Sequence, residues 1–187
     1  MEKWRNFFLK RMGEDANGNP YPICESVATW GVWCKDIPFK LYEKVKDPAK
    51  RSWNDEDGDD EYIPKEGLFM ESYTMKVDLC CKSQDVYNQS QLVRSAEEQV
   101  RINVKSFLDY LRDSGMLIVF STYTGIGRQM VRLESVGNEA TWKQGDDGWW
   151  FLIFDVTLKV NDPGAVVTAV RNVSTGEITG FSIATRL

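Results

Sequence analysis

The stretch DDGWWFLIFDVTLKV, residues 146–160, puts two different faces on one strand. At the two-residue period of a β-strand its even positions, Trp150, Leu152, Phe154, Val156, Leu158 and Val160, are all apolar, as one buried sheet face requires. The odd positions change character halfway: Trp149, Phe151 and Ile153 are apolar, whereas Asp155, Thr157 and Lys159 are polar. Such a strand is covered on one side throughout and on the other over its first half only. The cover is either a neighbouring subunit or the chain's own N-terminal segment folded over Phe151.

Working outward, MLIVFSTY (116–123), RQMVRLESV (128–136) and EATWK (139–143) precede this strand, separated by TGIG, GN and GDDG. Short apolar or alternating runs punctuated by turn residues predict a four-stranded meander, closed by Asp162-Pro163-Gly164. Upstream, SYTMKVDLCCK alternates cleanly, with Tyr73, Met75, Val77, Leu79 and Cys81 facing one way, and predicts a half-buried antiparallel strand. From about Ser90 to Ser114, Val93, Ala96, Val100, Val104, Phe107, Leu108 and Leu111 keep helical spacing, with Ser95 and Glu98 as a capping box and Gly115 as the stop. These elements predict an α+β fold: an antiparallel β-sandwich or barrel-like meander with one flanking helix.

The ends are less regular. Trp4, Phe7, Phe8 and Met12 are spaced i, i+3, i+4, i+8, which predicts a short amphipathic helix within an N-terminal extension, residues 1–22. The main domain then spans 23–163. It opens with one or two short strands between Ile23 and Leu41 and contains a long polar loop, 42–66, of a length usually reserved for function or for a partner. Residues 164–187 read as a C-terminal β-hairpin arm, turning at Ser174-Thr175-Gly176.

Composition excludes several functions. The net charge is −5 and the isoelectric point about 4.9, which argues against a duplex-binding surface, since phosphate recognition needs clustered Lys and Arg. Histidine is absent from all 187 residues. That removes Ser/His/Asp and Cys/His catalysis and the usual general base near pH 7. No run approaches the ~18 apolar residues of a membrane span, and the N-terminus shows no secretory apolar region. Cys24, Cys34, Cys80 and Cys81 have no metal-binding spacing; adjacent Cys80 and Cys81 point to opposite faces of a strand, and all four are expected as free thiols. The sequon Asn172-Val173-Ser174 is read as accidental.

Three motifs carry candidate chemistry. The acidic run DEDGDDE (55–61) places Asp55, Asp57, Asp59, Glu61 and Glu66 at ligand positions of a Ca²⁺ loop. Its Gly58 falls at position 4 rather than 6 and Pro64 interrupts it, so it is read as a partner-facing loop and not a metal site. Gly125-Ile126-Gly127 lacks the third glycine of a dinucleotide fingerprint and is followed by a strand pattern, so it is read as a turn; Asp146-Asp147 is likewise a hairpin turn. The tryptophans Trp30, Trp33, Trp53, Trp142, Trp149 and Trp150 could stack on sugars or bases, but acids rather than basic residues accompany them, which favours core and interface roles.

The order of these elements, with GVWCKDIPFK, KDPAKRSWNDEDGDDEYIPKEGL, MESYTMKVDLCCK, SFLDYLRDSG and FDVTLKVNDP, resembles tail and neck ring proteins of tailed bacteriophages, of the tail-tube, distal-tail and tail-terminator-like group. The resemblance covers residues 30–163. It implies a non-enzymatic virion protein assembled in the host cytoplasm as a homo-oligomeric ring of six or twelve copies. Other tail or neck proteins would be its partners, DNA only a transiting cargo, and neither membrane nor cofactor would be involved. Trp53, Asp57, Asp59, Asp60, Tyr62, Trp149, Phe151 and Ile153 are then the candidate subunit interface. Against this stand a divalent-metal carboxylate enzyme acting at residues 55–66 and a glycan-binding module using the tryptophans.

Overall fold

The structure is a computed structural model that describes residues 4–38, 49–52, 59–62, 71–120, 129–137, 139–145, 147–162 and 166–184. It divides into two compact units, Met1–Phe39 with Thr74–Val160, and Lys40–Tyr73 with Asn161–Leu187.

The first unit holds an eight-stranded, largely antiparallel sheet and two helices. Its elements are β1 (Phe8–Arg11), β2 (Ile23–Glu25), α1 (Ser26–Trp30), β3 (Val32–Cys34), β6 (Tyr73–Ser83), α2 (Ala96–Asp113), β9 (Met116–Phe120), β10 (Gln129–Val136), β11 (Thr141–Gln144) and β12 (Trp150–Val160), with a small hairpin, β7 (Val86–Asn88) and β8 (Gln91–Arg94), before α2. The strand order is β2-β1-β9-β10-β12-β6-β3, with β11 also on β12. β3 lies at one end of this order, yet its Cys34 bridges to Arg5, just ahead of β1 near the other end. The sheet therefore curls back on itself. This is the barrel-like form of the expected α+β fold, and closure removes most of the open edge.

The inner face is apolar because each strand alternates. Leu152, Phe154, Val156, Leu158 and Val160 of β12 are buried, as are Met75, Val77, Leu79 and Cys81 of β6. α2 packs its stripe of Val100, Val104, Phe107 and Leu111 into the same core. Phe107 is its hub, with ring contacts to Phe7, Trp30 and Phe154 at 6.1, 5.5 and 6.4 Å. Trp30 adds an indole hydrogen bond to Ser106 Oγ at 3.2 Å. The helix starts where Ser95 Oγ accepts the Glu98 N–H and Asp85 Oδ1 accepts the Ala96 N–H, and it stops before Gly115, whose φ of +62° a residue with a Cβ would resist.

Three expectations about the first unit are corrected and a fourth is extended. The N-terminal helix is a strand: Phe7 and Leu9 are buried while Phe8 and Lys10 are half-buried, and this two-residue alternation seats β1 between β2 and β9, overriding the helical spacing of a short apolar run. The main helix begins at Ala96, not near Ser90, because residues 86–94 form the β7–β8 hairpin, whose Gln89 and Ser90 take φ of +47° and +67°. The meander has three ranks: β10 pairs with Val156–Lys159 and β11 with Trp150–Ile153, so both lie along β12, with the Gly137 N–H bonded to the Asp155 carbonyl at 2.8 Å where they break. Between Ile23 and Leu41 two strands do form, but with the helical turn α1 between them.

The second unit contains two hairpins. β4 (Ala49–Ser52) pairs antiparallel with β5 (Asp59–Tyr62) inside the segment expected to be a loop, 42–66. Two short strands facing each other across a turn need no more apolar residues than this stretch offers, so the alternation signal was absent. β13 (Val166–Arg171) pairs with β14 (Ile178–Ala184), the expected C-terminal hairpin, its turn held by Asn172 Oδ1 accepting the Ser174 N–H at 2.8 Å.

Candidate functional site

A concave surface of the first unit lies on the outer face of the sheet, opposite α2. In antiparallel pairs, opposed residues share a face, so the registers Trp33↔Cys80 and Lys143↔Phe151, on the neighbouring strands β3, β6, β12 and β11, bring outer residues of four strands together. With Trp4, Lys82, Gln144 and Ile153 they line a groove of about 450 Å³. Phe151 and Ile153 are half-buried, and Trp4 and Trp33 line the same groove.

Local contacts set the shape of this groove. Lys82 holds its ammonium over the Trp33 ring at 4.9 Å and over the Trp149 ring at 5.0 Å, a cation clamped between two indoles. Gly145 donates to the Trp149 carbonyl at 2.7 Å, and a Cβ at Gly145 would stand 2.9 Å from Phe151 Cε2, so the hairpin turn leaves room for the Phe151 ring only because residue 145 has none. Beyond Ile153 the face turns polar as the sequence indicated, where Asp155 pairs with Lys76 at 3.5 Å and fills the space that a side chain at Gly137 would take. Cys80 is the one buried residue among the outward positions of β6; burial pushes its thiol up to about 11, against a smaller pull from Lys82 and Lys143.

Of the candidate interface residues, the structure brings Phe151, Ile153 and Trp149 to this groove and its rim. Asp59, Asp60 and Tyr62 belong to β5 in the second unit, and Trp53 and Asp57 lie outside the described residues, as do Gly125 to Gly127. An EF-hand needs flanking helices, whereas Asp59 and Glu61 sit in a strand paired with β4. Among the described residues no group of three or more Cys, Asp or Glu is placed to hold a metal ion, and no helix is long and apolar enough to cross a membrane. The described tryptophans do not form one platform: Trp30 is in the core, Trp33 and Trp149 flank Lys82, and Trp142 packs edge-on against Trp150 at 6.0 Å.

No protein-family model matches the chain, and no curated protein does. Among solved structures it is similar to the Dit protein of SPP1, described as a paradigm of the hub adsorption apparatus in phages infecting Gram-positive bacteria. The identity is 14% and the TM-score 0.41, over 88% of this chain and 55% of that one. The chain thus spans little more than half the length of that protein.

Trp4, Cys80, Lys82, Lys143 and Gln144 escaped the sequence reading as site residues. Trp4, Cys80 and Lys82 are remote from residues 149–153 in the chain, whereas Lys143 and Gln144 lie on the neighbouring strand β11 and are placed by its pairing with β12. Cys80 offered one signal, an apolar residue among the outward positions Thr74, Lys76, Asp78 and Lys82 of β6.

Proposed function

We propose that this chain is a non-enzymatic structural protein of a bacteriophage tail or neck, the repeating subunit of a homo-oligomeric ring around the DNA channel. The observation that carries the ring is the groove over Phe151. A half-covered apolar strip on an otherwise polar sheet face is a surface that gains from a second protein surface, and isolated chains rarely keep such strips wet. The phage setting rests on the sequence pattern of residues 30–163. With no histidine the chain lacks the usual proton-transfer group, and its net charge of −5 suits a channel wall that lets DNA slide without sticking.

Light scattering across a concentration series tests this reading. A discrete multimer is expected, and Phe151→Asp should lower its mass while circular dichroism shows the melting transition retained, because Leu152, Phe154 and Val156 still hold the inner face. A strict monomer at high concentration overturns the proposal.

A further inference from the structure

The groove over Phe151 is apolar in its walls and cationic in its charge. Trp4, Trp33, Phe151 and Ile153 supply the first property, Lys82 and Lys143 the second, and among the described residues no carboxylate lines it. In the Trp33 wall the indole N–H is buried and has no acceptor among the described residues, a costly state for a donor. An occupant that matched this surface would bring carboxylates together with aromatic side chains. The chain itself carries such a segment. Residues 53–62, WNDEDGDDEY, place six carboxylates between Trp53 and Tyr62, and Asp59–Tyr62 of this segment is the second strand of the β4–β5 pair.

We propose that the acidic segment Trp53–Tyr62 of one copy docks in the Phe151 groove of the next copy. This rests on the ring reading and deepens it by naming both halves of the contact. Hairpin and groove are different surfaces, so the contact is heterologous, the type that repeats around a ring when its rotation closes. Lys82 is already held between Trp33 and Trp149, so its charge is in place before the partner arrives. Nucleic acid is the poorer match. Among the described residues the groove offers two lysines and no arginine, and a chain of net charge −5 repels a polyanion at longer range.

The test is a charge exchange on the full chain, read by light scattering against concentration, with circular dichroism to confirm folding. Lys82→Glu with Lys143→Glu, and separately Asp57→Lys with Asp59→Lys and Asp60→Lys, should each raise the concentration of half-assembly by on the order of tenfold or more. Molar salt should weaken the wild type in the same direction. Mixed in equal amounts, the two variants should recover a multimer, because every second contact then joins an unaltered acidic hairpin to an unaltered basic groove, and the substituted segment, left with three carboxylates and three lysines, is no longer repelled by the substituted groove. If Lys82→Glu unfolds the chain, Lys143→Glu at its exposed position carries the same test alone. A wild-type multimer indifferent to these changes, or variants not rescued by mixing, overturns the docking while leaving the ring standing. A monomeric wild type overturns both. Binding of DNA lost in the lysine variant, without any effect on assembly, also overturns the docking.

Discussion

Arg5 and Cys34 exchange both of their backbone hydrogen bonds, Arg5 N–H to Cys34 carbonyl at 2.7 Å and Cys34 N–H to Arg5 carbonyl at 2.9 Å, and this pair joins the two ends of the sheet. The Arg5 side chain is exposed, so the closure belongs to its backbone. Arg5→Pro deletes the donor and leaves the Cys34 carbonyl short of a partner, at an expected cost of about 1–3 kcal/mol in urea unfolding. Arg5→Ala keeps both bonds and should stay within about 0.5 kcal/mol of the wild type. Equal effects from the two would mean that the bridge contributes nothing.

The start of α2 is held twice over. Ser95 Oγ accepts the Glu98 N–H at 3.3 Å, and Asp85 Oδ1, from the foot of the β7–β8 hairpin, accepts the Ala96 N–H at 2.6 Å. Loss of either cap should cost about 1 kcal/mol. Because both serve the same first turn, Ser95→Ala and Asp85→Ala should not be additive, and a double-mutant cycle by chemical denaturation reads the difference. Hydrogen exchange should show the first turn of α2 opening more readily in the double variant.

Three thiols tie stability to alkaline pH. Burial pushes Cys34 and Cys81 up to about 12 and Cys80 up to about 11, from an ordinary 9.0; at Cys34 the Asp36 carboxylate adds to this. Below pH 9 all three are protonated in both folded and unfolded chains, and their contribution is complete. Above it the unfolded chain ionises first, so stability falls between pH 9 and 11–12, by at most about 1.4 kcal/mol per pH unit for each thiol. Cys80→Ala should flatten that decline by one thiol's share, whatever it costs at neutral pH. In native protein at pH 7.5 a thiol reagent should reach half-buried Cys24 first and the other three only on unfolding.

What was legible in the sequence is what burial and period make coincide. β12, β6 and the stripe of α2 each bury every second or every third and fourth residue, and each was read from that alone. The N-terminal strand was not, because Trp4, Phe7, Phe8 and Met12 also fit a helix, and only the pairing of Phe8 with Glu25 and Phe120 decides between the two. Strand β8 was absorbed into the helix because its Leu92 and Val93 are apolar yet exposed, so their pattern reports no core. Of the groove, the sequence showed one wall, Phe151 and Ile153; the other comes from β3 and β6, whose register no local pattern encodes.

Gly145 offers a way to alter the groove without touching its lining. Its N–H closes the β11–β12 turn onto Trp149, and this bond survives substitution by alanine. The new methyl would stand 2.9 Å from Phe151 Cε2 and 3.5 Å from Trp149 Cβ, so the Phe151 ring must yield and Trp149 need not. Overpacking of this kind costs typically about 1–3 kcal/mol, and the lower end is expected because Phe151 is only half-buried and has open groove to move into. The displaced ring occupies part of the space the groove would give to a partner. Gly145→Ala should therefore weaken assembly, measured by light scattering, by a larger factor than Lys143→Ala, which removes one charge and leaves the shape. Trp149 fluorescence should change little, since Lys82 still clamps it against Trp33. A variant that melts far below the wild type would instead place Phe151 in the structural core; one that assembles normally would show that nothing docks against its ring.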